Sequence, residues 1–86
     1  DLYVAYEPGH KAAAFKLAAD ARRAGHNARL ELAGRSLKGQ LKQASRTGAR
    51  YVAIFRDDGV QLRDREGGED KVVEPESVMH HIRGQI

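Results

Sequence analysis

The residues of this chain whose types and spacing could do chemistry are mainly cations. Residues 33–56 contain no acidic residue and six basic ones: Arg35, Lys38, Lys42, Arg46, Arg50 and Arg56. The first four follow 3-4-4 spacing, which places them on one face if this segment is a helix. A helix face that carries charge of one sign suits the binding of a polyanion.

A second group of residues could read the bases of a nucleic acid. Asp57 and Asp58 follow an apolar run that predicts a central strand, and open α/β sheets bind ligands at the carboxyl ends of their strands. A carboxylate there can accept hydrogen bonds from base amino groups, while a plain polar turn explains the two residues about as well. Arg63 alternates with Val60 and Leu62, and this pattern alone does not assign it to a face.

Other kinds of chemistry find less support. No serine or threonine lies in a nucleophile motif. His80 and His81 would point about 100° apart on a helix, so they do not converge on one metal ion. His10 and His26 lie near predicted helix ends, and we interpret both as solvated. We therefore predict neither catalytic residues nor a metal site.

The stretch GRSLKG, residues 34–39, resembles a phosphate loop without matching it. Its lysine precedes the second glycine, whereas nucleoside triphosphatases have the order G-x-x-x-x-G-K-[ST]. A triphosphatase is therefore not expected. The start of a helix beside Arg35 and Lys38 can still hold a phosphate, because its free backbone N–H groups point outwards.

Composition narrows the class of protein. The 86 residues suffice for one domain, and the strand-like pattern that begins at Asp1 suggests a domain of a longer chain. The absence of cysteine removes disulfides, thiolate catalysis and cysteine-ligated zinc. No apolar run approaches the roughly 20 residues of a membrane span and no signal peptide is visible, so we predict a cytoplasmic domain without membrane contact.

Charge is distributed unevenly along the chain. The net charge is only +3, yet residues 57–79 hold eight acidic residues and three basic ones. This acidic segment directly follows the basic segment. The contrast predicts a localised anion-binding face in a protein that is not cationic overall.

The periodicity of apolar residues predicts the strands and helices that must position these residues. Strands are predicted at Leu2–Tyr6, Asn27–Leu32, Tyr51–Phe55, Val60–Arg63 and Lys71–Glu74. Helices are predicted at Lys11–Ala24, from the N-cap Ser36 to the stop at Gly48, and from Pro75 to Ile82. The predicted apolar stripes are Ala14, Leu17, Ala18 and Ala21 in the first helix, Leu37, Leu41 and Ala44 in the second, and Val78, Met79 and Ile82 in the third.

This order, β-α-β-α-β-β-β-α, predicts an α/β domain with a five-stranded mixed sheet and three flanking helices in three layers. The strand Tyr51–Phe55 should lie at the centre of the sheet and Asn27–Leu32 nearer an edge. The aromatic residues Tyr3, Tyr6, Phe15, Tyr51 and Phe55 mostly fall in runs predicted to be core. No aromatic platform for stacking bases is evident.

The segment from residue 34 to 55 resembles the centre of the anticodon-binding domain of class IIa aminoacyl-tRNA synthetases, above all the histidyl type. The stretches that carry this resemblance are Arg35–Lys38 (RSLK), Gln40–Lys42 (QLK), Ala44, Gly48–Arg50 (GAR) and Tyr51–Phe55 (YVAIF). Ala21–Gly25 and Val60–Asp64 support it, and the family's order of elements is the one predicted above. The resemblance extends over essentially all 86 residues.

The resemblance implies a domain that grips the anticodon stem-loop of tRNA. Catalysis would belong to a separate part of a parent enzyme that joins histidine to tRNA with ATP and magnesium, and such parents are typically homodimers. The chain itself contains no class II catalytic motif, so no cofactor is expected in this domain. Lys and Arg would hold phosphates, for which we select Arg35, Lys38 and Lys42. Arg56, Asp58 and Arg63 would read bases.

One departure from the family leaves an alternative open. Only Arg56–Gly59 separates the central strand from the next, where the family has a longer loop with a glutamate that is here absent or replaced by Asp58. In related synthetases this loop helps to read anticodon bases. The chain could therefore be a diverged regulatory or accessory domain that binds tRNA or a protein without anticodon specificity. An unrelated α/β domain whose basic helix contacts an acidic partner is a further alternative.

Overall fold

Five strands form one mixed sheet in the computed structural model of the chain, which describes residues 2–30 and 36–83 apart from the side chains of Glu69 and Arg83. The strands are β1 (Leu2–Tyr6), β2 (Ala28–Leu30), β3 (Tyr51–Arg56), β4 (Gly59–Asp64) and β5 (Glu69–Val73). Their spatial order is β2-β1-β3-β4-β5. β1 is parallel to both β2 and β3, whereas β3–β4 and β4–β5 are antiparallel. The predicted mixed sheet, with β3 at its centre, is confirmed.

Three helices connect or follow these strands. They are α1 (Lys11–Arg23), α2 (Leu37–Thr47) and α3 (Val78–Arg83), and one turn of 3-10 helix, Pro75–Ser77, precedes α3. The final helix was predicted as one continuous segment from Pro75, so its first turn is a correction. Proline fits that turn because it lacks the N–H that a first turn leaves unpaired.

The ends of α2 are set by two residues that the sequence singled out. The Ser36 hydroxyl accepts a hydrogen bond from the Gly39 N–H at 3.3 Å, which satisfies one of the free donors at the helix start. Gly48 ends the helix with φ of 69°, a left-handed conformation that costs glycine little. The helix α2 therefore begins and ends where the pattern predicted.

The sheet separates two apolar clusters. On one face, which we call the closed face, α1 and α3 cover alternate residues of the strands, including Val4, Tyr51 and Phe55. On the other, which we call the open face, α2 packs on Tyr3 and Ala5 of β1 and on Val52 and Ile54 of β3. Within residues 2–30 and 36–83, α2 therefore covers β1 and β3 on the open face, and no helix covers β4 and β5 there.

The predicted apolar stripes lie where expected. Every residue of the α1 stripe is buried. Leu37 and Leu41 of α2 are partly buried beside the buried Ala44. Phe15, which is not part of the predicted stripe, is 54% exposed, because it lies about 100° around the helix from Ala14 and so points away from the sheet. The predicted strand Asn27–Leu32 is observed as Ala28–Leu30, and its last two residues lie outside the described part.

Candidate nucleic-acid interface

The cationic residues of α2 lie on its solvent side. Lys38, Lys42 and Arg46 are all exposed, as expected for positions that the helix turns away from Leu37, Leu41 and Ala44. Arg35, the fourth member of the predicted set, lies outside the described residues. Three cations spaced over about two turns therefore form a ridge along the outer side of α2.

The uncovered part of the open face lies beside this ridge. Gln61 and Arg63 of β4 pair in register with Ile54 and Val52, which pack under α2, so their side chains emerge on the same face. This pairing resolves the question that alternation left open for Arg63. The open face of β5 is exposed at Asp70 and Val72.

A groove separates α2 from β4. It has a volume of about 250 Å³, and its lining residues are Leu41, Ala44, Ser45, Val52, Arg63 and Arg65. The groove therefore has an apolar floor and two guanidinium groups along one side. A site of this kind can accept an apolar face whose edge or substituent is anionic or polar.

Arg65 is a groove residue that sequence reasoning missed, because it lies in the connection between the predicted strands Val60–Arg63 and Lys71–Glu74. Its Nη1 donates to the carbonyls of Ala44 and Ala49, both at 3.4 Å. These carbonyls lie near the carboxyl end of α2, where a cation is favoured by the helix dipole. Arg65 thus secures the end of the helix and adds positive charge to the groove.

Arg63 is held by a neighbouring carboxylate. Its Nε lies 3.4 Å from Asp70 Oδ2, and the side-chain amide of Gln61 donates to both oxygens of Asp70 at 2.9 Å. Gln61 and Asp70 were not predicted as site residues, although Gln61 alternates with the core residues Val60 and Leu62. The contact directs the Arg63 side chain from β4 towards β5, and Asp70 partly offsets its charge.

The carboxyl edge of the sheet holds the other predicted base-reading residues. Arg56 ends β3 on the open face, and its Nε is buried without a hydrogen-bond partner in the described part of the chain. Asp57 and Asp58 form an exposed two-residue turn, since Arg56 and Gly59 are already paired. The shortened connection is therefore a tight hairpin turn.

The structure divides the predicted base-reading set between two places. Arg56 and Asp58 lie at the carboxyl edge, whereas Arg63 pairs with Val52 near the opposite edge. Arg56 lies four residue steps along the strand from Val52, which corresponds to about 13 Å. An extended ligand along the α2–β4 groove would be needed to contact both.

His10 joins the carboxyl edge, contrary to its predicted solvation. Its Nε2 lies 2.7 Å from Asp57 Oδ1, and its side chain is 26% exposed. The correction has a topological cause, because β1 and β3 are adjacent and parallel, and the segments that follow them meet at one edge. His26 is only half-buried, and nothing in the described residues assigns it a role.

Gln40 fixes α2 to the same edge. Its side chain is buried, accepts from the Tyr6 N–H at 2.9 Å and donates to the Tyr6 carbonyl at 3.0 Å. These bonds give hydrogen-bond partners to the backbone N–H and carbonyl of Tyr6 at the end of β1. Since Lys38 lies two residues before Gln40, the first cation of the ridge is held above the carboxyl edge.

The described residues contain no arrangement that could hold a metal through three or more His, Cys, Asp or Glu side chains. Within the same part of the chain, no helix has the length and apolarity needed to cross a membrane.

The likeness to known proteins extends over the whole domain. The chain is 34% identical to the histidine–tRNA ligase of Rubrobacter xylanophilus over 90 aligned residues, which cover 96% of the chain and 21% of the ligase. It is 28% identical to the Macrococcus caseolyticus histidine–tRNA ligase, covering 99% of the chain and 21% of that protein. Histidyl-tRNA synthetase of S. aureus superposes with a TM-score of 0.82 at 25% identity, over 94% of this chain and 25% of that one. The chain has the anticodon-binding fold of the histidyl-type synthetases.

The anticodon-binding fold is also found at lower identity. The RNA binding domain of threonyl-tRNA synthetase from Cryptosporidium parvum superposes with a TM-score of 0.80 at 12% identity, over 98% of this chain and 23% of that one, which supports the fold alone. No protein-family model matches the chain. The chain spans about a fifth of the length of the curated ligases it matches. The resemblance drawn from residues 34–55 is thereby confirmed over the whole domain.

Proposed function

We propose that residues 1–86 are the tRNA anticodon-binding domain of a histidyl-type tRNA synthetase. Two features together support the proposal. The chain is similar to histidine–tRNA ligases over nearly its whole length, and it has a cationic ridge beside an uncovered groove lined by Arg63 and Arg65. A nucleic acid is held by phosphate contacts and read through its bases. The ridge is suited to the first task and the groove to the second.

Each selected residue receives a role in this proposal. Lys38 and Lys42 hold phosphates, together with Arg35. Arg56 and Asp58 read one splayed base at the carboxyl edge, and Arg63 contacts a second base or its sugar about 13 Å away. The domain supplies no chemistry, and the parent would use ATP and magnesium in a separate catalytic part. A cytoplasmic, homodimeric parent follows from the same resemblance.

The two-residue turn after β3 favours a second candidate function. A connection closed by Arg56 and Gly59 offers only Asp57 and Asp58 for contact. A domain with so short a base-reading loop can bind tRNA through its phosphates without selecting one anticodon. This is the regulatory or accessory reading of the same fold.

Titration with tRNA separates the two candidates. The chain would be titrated with tRNA bearing the histidine anticodon and with a version changed there, at two salt concentrations. The first proposal expects the changed tRNA to bind about tenfold more weakly, close to the cost of one wrong base. Equal binding with a steep salt dependence leaves only phosphate gripping. An absence of binding at low salt contradicts both RNA-binding candidates.

A charge reversal tests the ridge. Lys38→Glu should weaken binding to both tRNAs alike and reduce the salt slope by about one unit, because one phosphate contact is lost. The matched control is Lys16→Glu, an exposed lysine on α1 at the other face of the sheet. Equal losses from the two reversals would show general electrostatics without a localised site.

A further inference from the structure

The carboxyl edge contains one contact that neither the helices nor the sheet require. His10 is the residue that precedes α1, and its side chain makes no capping hydrogen bond. Ser, Thr, Asp and Asn are favoured at that position because their oxygens accept from the helix start. Local helix formation therefore gives no reason for an imidazole here.

The backbone beneath His10 is firmly placed. The Glu7 N–H donates to the Phe55 carbonyl at 2.9 Å, which extends the pairing of β1 with β3 by one residue. The His10 N–H donates to the Glu7 carbonyl at 3.1 Å, and the His10 carbonyl accepts the first bond of α1 from Ala14 at 3.0 Å. The imidazole thus projects from a loop that is tied to the end of β3.

The partner of His10 belongs to the turn that has only two residues. The Asp57 side chain is 96% exposed, and the imidazole contact at 2.7 Å joins it to a residue 47 positions earlier. An exposed carboxylate in a tight turn otherwise samples several rotamers. Asp57 is therefore already bonded to His10. The other carboxylate of the turn, Asp58, makes no hydrogen bond or ion pair with the described residues.

We propose that His10 is a positioning residue of the carboxyl edge, which holds the Asp57–Asp58 turn in one conformation and so presents Asp58 and Arg56 to a base. The relation to a base rests on the proposed function. The holding of the turn does not, because it is a contact within the folded chain. His10 touches the reading residues through Asp57 and is not itself assigned a contact with RNA.

The turn can be observed without RNA. In ¹⁵N-labelled protein, His10→Ala should shift and broaden the amide signals of Asp57, Asp58 and Gly59, whereas His10→Gln should restore them, because its amide can still donate to the carboxylate. Signals unchanged in His10→Ala would overturn the proposal. In a double-mutant cycle with Asp57→Ala, the effects of the two substitutions on the Asp58 signal should not add, and strict additivity would also overturn it.

Binding measurements then test the consequence of that positioning. His10→Ala should reduce the preference for the histidine anticodon about threefold, the size expected for one partly exposed hydrogen bond, and leave affinity for the changed tRNA unaltered. His10→Gln should restore the preference. If the turn signals respond and wild-type protein does not discriminate between anticodons, the proposed function fails while the holding of the turn stands. If the turn responds and a discriminating protein keeps its preference in His10→Ala, the role in positioning a base reader is overturned.

Discussion

The closed face and the open face of the sheet are made by alternate residues of the same strands, and they differ in what covers them. On the closed face, α1 and α3 bury a continuous apolar cluster that reaches from β2 to β4. On the open face, α2 covers β1 and β3 and leaves Gln61, Arg63, Asp70 and Val72 at least partly exposed. The difference assigns the faces separate tasks, since apolar burial supports folding and charge left at the surface is available to a partner.

The largest expected effect comes from the closed face. Phe55→Ala removes a ring that is 2% exposed at the centre of the sheet, and such truncations cost about 3–5 kcal/mol. For 86 residues the total stability is about 4–13 kcal/mol, so the variant should be marginal or unfolded in a urea titration. Phe55→Leu should give a smaller loss that can still be measured.

The matched control is Phe15→Ala, because that phenylalanine is 54% exposed on α1. Its free energy of unfolding should change by less than about 0.5 kcal/mol. A loss at Phe15 as large as that at Phe55 would contradict the division between a covered core and an exposed helix face.

The next effect lies where α2 joins the open face to β1. Gln40→Met keeps the side-chain volume and removes both bonds to the Tyr6 backbone. A buried group left without a partner costs about 1–3 kcal/mol, so the variant should lose about 2 kcal/mol in a urea titration. Ser45→Ala, an exposed substitution on the same helix, should be nearly neutral. An unchanged stability in Gln40→Met would mean that water, or another acceptor and donor, replaces the amide.

Gln40 also shows what periodicity can and cannot predict. The stripe Leu37, Leu41 and Ala44 identified the packed side of α2, since apolar residues three and four apart lie together. Gln40 lies on the same side of the helix, but a hydrophobicity pattern predicts that a polar residue is exposed to solvent. Its partner is the backbone of Tyr6, 34 residues away, and sequence spacing carries no information about that distance.

The sequence predicted the positive charge of the candidate site, but it did not predict which side chains lie close together in space. The spacing of Lys38, Lys42 and Arg46 determines their common helix face, whatever the tertiary structure. The separation of Arg56 from Arg63 depends on the register of β3 against β4. His10 meets Asp57 because two parallel strands are adjacent, and that adjacency follows from topology.

A smaller effect is expected at Asp64, which pairs with the first residue of β3 and so lies at the edge of the sheet opposite the carboxyl edge. Asp64 accepts from the backbone N–H of Gly67 at 3.0 Å and faces Arg50 at 3.3 Å. The Gly67 N–H first, and then Arg50, lower the pKa of the Asp64 carboxyl from its ordinary value of 3.8. A carboxyl whose folded pKa is lowered stabilises the fold fully above its unfolded pKa, and the contribution is lost as the pH falls through the folded pKa.

Asp64→Asn should therefore lower the thermal midpoint at neutral pH, and the gap from wild type should close as the pH falls below 3.8. Scans at a series of pH values would measure it. Glu76→Gln, at an exposed position, should show no such closing gap. A gap that stays constant down to acid pH would show that the charge of Asp64 does not stabilise the turn.

The smallest expected change in stability is on the open face, and it tests the comparison most directly. Asp70→Asn removes the carboxylate that faces Arg63 at 3.4 Å while an amide oxygen remains for Gln61. Exposed ion pairs contribute about 0–1 kcal/mol, so the free energy of unfolding should shift by less than about 0.5 kcal/mol in a urea titration.

Binding should respond to Asp70→Asn in the opposite sense from a core substitution. Removing one negative charge from the open face releases Arg63 and lessens repulsion of phosphates, so tRNA affinity at low salt should rise about twofold to threefold. Asp20→Asn on α1, at the other face of the sheet, is the charge-matched control and should leave the affinity unaltered. A fall in affinity for Asp70→Asn would mean that the carboxylate orients Arg63 for binding, and the open face would then be a preorganised site in which the ion pair itself is part of the reader.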